Sequence, residues 1–113
     1  MGAFLIPLGN QANVTLTIAN GGTTSPALLV PEDMADLMVY GPAALTAQCV
    51  LQVEPSRTGT DFLTLQMTPG TDVTLAAAKA TNVKATGFRQ MRILSAGAEG
   101  ADRAFTIVFT VQP

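Results

Sequence analysis

The chain has 113 residues, enough for one hydrophobic core and too few for a core with a separate functional lobe. Charged residues make up only 12% of it and leave a net charge of -2 at pH 7, against a share near ~25% in ordinary soluble domains. Its scattered Lys and Arg form no basic patch, which argues against a nucleic-acid partner, because phosphate binding relies on clustered cations that release counterions.

Hydroxyls rather than charges supply the polar surface. Two readings of that composition stay open: an exterior meant to lie against neighbours, where charge would only hold copies apart, or simply a β-rich fold that favours Thr. The lone Cys49 permits neither an internal disulfide nor a paired-thiolate metal site. In "TAQCVLQV" it is an apolar alternate, so a buried, inert thiol is expected. The opening "MGAFLIPLGN" lacks a basic flank and is interrupted by Pro7, so no signal peptide is read, and Ile6 stands where a myristoylation signal carries Ser or Thr. No run approaches the ~18 apolar residues that span a bilayer. The expectation is a chain made soluble in a reducing cytoplasm, with no membrane partner.

In chain order, "NVTLTIA" sets Val14, Leu16 and Ile18 against Thr15 and Thr17, the period-2 signature of a half-buried strand. Asn20 to Gly22 then turns the chain. "PALLVPED" is fenced by Pro26 and Pro31 and reads as a short or edge strand. Leu37 to Tyr40 reads as extended, closed by Gly41-Pro42, with Asp33 a candidate cap for one helical turn before it. "TAQCVLQVEP" alternates Ala47, Cys49, Leu51 and Val53 against Gln48, Val50 and Gln52. "SRTGTD" reads as a hairpin loop in which Gly59 supplies a positive φ. "FLTLQM" returns with Leu63, Leu65 and Met67 on one face, Pro69-Gly70 turns, and "DVTL" begins another strand. "AAAKATNVKAT" has no apolar stripe and is expected to be a loop or an irregular turn. Met91 and Ile93, then Phe105, Ile107, Phe109 and Val111, mark two closing strands, joined by a hairpin of small residues, "SAGAEGAD". Val50, Leu94 and Val108 put apolar side chains on wet faces; on neighbouring strands they would mark a covered outer face.

The expected fold is all-β: an antiparallel β-sandwich, jelly-roll-like, of about eight short strands. Residues 1–12 are expected to form an N-terminal arm or first edge strand, and residues 13–113 a single sandwich domain. Helical crossovers long enough for a parallel sheet are lacking.

Nothing in the chain carries catalytic chemistry. There is no histidine, hence neither the commonest general base nor the commonest metal ligand. Glu32, Asp33 and Asp36 lack the alternate-position spacing and glycine of a calcium loop. "GAEG" has neither the lysine nor the following helix of a phosphate cradle. Asp61 and Asp72 would meet Glu54 only through the fold. Arg89, Arg92 and Arg103 are expected in ion pairs with Asp102 or Glu99. No enzyme activity, cofactor or metal is expected.

The stretch "GFRQMRILSAGAEGADRAFTIVFT" nevertheless resembles the C-terminal part of small virion proteins of tailed bacteriophages, the capsid decoration or cement proteins. An aromatic-and-arginine strand (Phe88, Arg89, Arg92, Ile93, Ser95) is followed by an alanine-glycine loop with Gly97 and a closing strand with Arg103, Phe105 and Ile107. "FLTLQMTPGTDVTL" fits the family's hairpin, although Thr58 and Gly59 stand where family members often carry Asp-Gly. The resemblance covers roughly the last 55 residues. It implies a sandwich made in the host cytoplasm and seated on the outer capsid surface of a virion, bound between major capsid protein subunits as a homotrimer. Phe4, Leu5, Ile6 and Leu8, apolar on both faces of "GAFLIPLG", are the expected partner-binding residues. The alternatives are a tail or baseplate adaptor of the same virion and a carbohydrate-binding sandwich; the latter usually shows aromatic platforms, and this chain has no Trp and one Tyr.

Overall fold

The computed structural model describes residues 11–31, 34–85 and 87–111. Among them are eleven strands: β1 (Gln11–Ile18), β2 (Leu28–Leu29), β3 (Met34–Tyr40), β4 (Cys49–Glu54), β5 (Leu63–Thr64), β6 (Gln66–Thr68), β7 (Thr71–Asp72), β8 (Thr74–Leu75), β9 (Ala80–Lys84), β10 (Gln90–Ser95) and β11 (Arg103–Val111). One sheet has the order β9-β3-β11-β1, and the other β2-β10-β4-β5 with β8 also on β4. Every pairing is antiparallel, and the pairs nest: β1 with β11, β2 with β10, β3 with β9, and β4 with β5 and β8. The chain is thus one long antiparallel hairpin rolled into two layers, a jelly-roll β-sandwich. β6 and β7 form a small separate hairpin, turned at Gly70, whose φ of 86° suits a residue without a side chain.

The layers meet through the alternation written in the sequence. Leu16, Ile18, Leu37, Val39, Phe105, Ile107 and Phe109 point inward from the first sheet, and Cys49, Leu51, Met91 and Ile93 from the second, all buried. Burial pushes the Cys49 thiol pKa up, which suits an inert core side chain; a hydrogen bond with Ser95 acts in the opposite direction.

Several expectations are corrected. The connection from β10 to β11 is not a hairpin: the two strands lie in different sheets, and residues 96–102 carry the chain across the end of the sandwich. The segment expected as a loop holds β9, whose intrinsic pattern is poor but whose five residues pair in register with β3 while Val83 enters the core. Leu63, Leu65 and Met67 are not buried together: Leu65, whose N–H bonds the Leu51 carbonyl, packs partly buried against the core, while Leu63 is 71% and Met67 49% exposed. Gly59 does not have a positive φ. It is held instead by space, since a Cβ there would strike the Glu54 carboxylate. Asp33 lies outside the described residues.

Candidate docking surface

Two buried carboxylates brace the opposite ends of β4. At its C-terminal end, Glu54 points to the outer side of its sheet and is nonetheless buried, because the loop of residues 55–62 folds over it. Its carboxylate accepts from the Ser56 N–H (3.0 Å), the Ser56 hydroxyl (3.1 Å) and the Asp61 N–H (3.1 Å). The neighbouring Gln90 amide donates to the Ser56 and Gly59 carbonyls, both at 2.9 Å. Beside this roof, the Arg92 guanidinium lies 4.4 Å from the Phe62 ring centroid and donates to Gln52 (2.8 Å). One end of this outer face is therefore occupied by the protein's own loop.

At the other end, Glu99 is the bolt of the crossover. It accepts from the Thr46 N–H (2.8 Å), the Ala47 N–H (3.2 Å), the Ser95 hydroxyl (2.6 Å) and Arg103 Nε (2.9 Å). Its own backbone pairs with Gly21 and Gly22. These donors, led by Ser95 and the Thr46 N–H, pull the carboxyl from an ordinary 4.5 down to about 2 against the opposing effect of burial. Of the expected arginine pairs, Arg103 with Glu99 is present, whereas Arg92 serves Phe62 and Gln52, and Arg89 donates to the Phe88 carbonyl. Asp72 accepts from Gln66, and Asp36 faces Lys84 at 3.8 Å. Glu32 lies outside the described residues, so Asp36 is the described member of that acidic run.

The outer face of the β9-β3-β11-β1 sheet is different in kind. Across it run Asn82, Met38, Val108 and Asn13 in one row, and Ala80, Tyr40, Thr106 and Thr15 in the next. Among the described residues the strands bring one ion pair here, Asp36 with Lys84, and it closes on itself. On this face Asn13, Thr15, Ala80, Asn82, Thr106 and Tyr40 (46%) are exposed, while Met38 and Val108 are half-buried. Of the apolar outward residues singled out in the sequence, Val50 and Leu94 are direct cross-strand partners on the other sheet. Val108 belongs to this one, so the three do not make one patch. Four strands of 5, 7, 9 and 8 residues, at a spacing of about 4.8 Å, give a platform of roughly 400 Å².

No family model matches the chain, and no curated protein matches it in sequence. The SPBc2 prophage-derived protein YomS superposes with a TM-score of 0.61 at 10% identity, over 96% of this chain and 98% of that one. The likeness is one of fold. Looser likenesses link the chain to a component of the disulfide-linked pili of Bacillus endospore appendages (TM-score 0.43, 15% identity, 90% and 88% covered) and to the Yersinia pseudotuberculosis-derived mitogen (TM-score 0.48, 14% identity, 95% and 88% covered). The expected partner-binding residues Phe4, Leu5, Ile6 and Leu8 lie outside the described residues. The platform itself was not singled out in the sequence. Its signal was Thr alternating with core residues on β1 and β11, which reads equally as ordinary strand composition.

Proposed function

We propose that the chain is a structural virion protein of a tailed bacteriophage that decorates the capsid and cements it by binding between major capsid protein subunits. The observation that carries this reading is the charge-poor outer face of β9-β3-β11-β1, exposed at Asn13, Thr15, Tyr40, Ala80, Asn82 and Thr106 among the described residues. Interface centres are depleted of charge, and short hydroxyl side chains cost little to desolvate and order. The fold shared with a prophage-derived protein supports the phage setting, as do the residues around Phe88 and Arg103 that resemble decoration proteins. A platform of roughly 400 Å² falls short of the ~800 Å² per partner of a stable pairwise interface. Several copies acting together would offset that shortfall through avidity, which is why a homotrimer is the proposed form, with Phe4, Leu5, Ile6 and Leu8 as further partner contacts.

The test is co-sedimentation with purified heads and, separately, tails that lack the protein. Binding to heads that saturates at a copy number matching a capsid symmetry axis is the expected result. Binding to tails alone would make the chain an adaptor, and binding to neither would remove the virion reading.

A further inference from the structure

The four sheet edges are not protected alike. In the second sheet, the edge strands β2, β5 and β8 are two residues long. In the first, β9 ends in Lys84, a charge of the kind that blunts an edge. β1 has no such device: its eight residues, QANVTLTI, contain neither charge nor proline. They pair with β11 without a bulge or register shift. Among the described residues β1 has no partner on its other side, and Val14, at the rim of the core, is only partly buried. A long, regular, uncharged edge of this kind is a template for another strand.

We propose that the β1 edge receives residues 2–8 of a neighbouring copy of this chain, so that copies are joined by exchanged strands. The segment lies immediately before β1, and seven extended residues span about 23 Å against about 26 Å for β1, so the lengths match. In an added strand Phe4, Ile6 and Leu8 fall on one side, where they extend the inward layer beside Val14. Pro7 falls on the other set, and an added strand is itself an edge, a place where a missing N–H is tolerated; it would also stop further strands from adding. A two-residue hairpin through Gly9-Asn10 onto the segment's own β1 would instead set Ile6 opposite Asn13 and Phe4 opposite Thr15. That register turns the large apolar set toward the wet side. A neighbour's segment is free of this constraint.

The exchange deepens the oligomeric part of the proposed function, but its geometry does not depend on a capsid. The experiment is light scattering on the full-length native protein, Ile6→Asp and Val14→Lys, with melting curves to confirm folding. The native protein should run as an oligomer, and both variants should fall to single-chain mass, a threefold drop if the native form is a trimer. An excess of a synthetic peptide of residues 2–10 should dissociate the native oligomer by competing for β1, a readout that needs no variant to fold. A native protein at single-chain mass, folded variants that stay oligomeric, or an oligomer indifferent to the peptide would each overturn the exchange. Head binding is a separate readout, so either idea can fail alone.

Discussion

Glu99→Ala should lower the melting temperature by about 15 °C, the largest stability loss expected from a single polar side chain in this protein. Removing one partner of a buried charged pair costs about 4 kcal/mol, because the other partner is left without its counter-charge, and a domain of this size loses roughly 4 °C per kcal/mol. Here the abandoned groups are the Arg103 guanidinium, the Ser95 hydroxyl and the N–H groups of Thr46 and Ala47. The loss should be local first, since these donors hold the crossover of residues 96–102 against the loop that leads into β4. Acid should reproduce part of it. The folded carboxyl titrates at about 2 and the ordinary one at 4.5, so its contribution is complete above 4.5 and fades as pH falls toward about 2. The gap between native and Glu99→Ala melting temperatures should therefore be widest at neutral pH and narrow at pH 3. A gap of constant width would contradict the assignment.

Gly41→Ala should also destabilise strongly, by about 3 kcal/mol. A Cβ on Gly41 would be driven into the backbone carbonyl of Ala76, which has no flexible side chain to yield. The same corner carries the Gly41 N–H to Lys79 carbonyl bond (2.9 Å) and the Ala78 N–H to Pro42 carbonyl bond (2.7 Å). Ala78 already sits at a φ of 57°, a conformation that costs a side-chain-bearing residue energy, so the turn has little room to adjust. Chemical denaturation should show a lower midpoint with an unchanged slope. An unchanged midpoint would mean that the segment after β8 moves freely.

The layers of the sandwich were legible because one side of each long strand is core. Leu16, Ile18, Phe105, Ile107 and Phe109 announce themselves by period alone. Which strands pair was not legible. Residues 96–102 have the composition of a hairpin loop, and only the long-range bonds of Glu99 to Thr46 and Ala47 make them a crossover. β9 is a strand because β3 pairs with it, a tertiary effect that overrides weak local preference. The buried role of Glu54 was equally hidden. It occupies an outward position in its strand, and nothing local says that residues 55–62 will fold back over it. The docking platform was half legible: the Thr alternation on β1 and β11 gave its composition, but its size depends on β3 and β9 lying beside them.

The most direct test of the proposed docking is head binding by Val108→Arg compared with the native protein. Val108 lies mid-platform between Met38 and Asn13, pointing away from the core. An arginine there should leave the melting temperature nearly unchanged. Burying that unpaired charge against the capsid should weaken binding by about 100-fold or more, equivalent to roughly 3 kcal/mol. A folded Val108→Arg protein that sediments with heads as well as the native one would contradict the account.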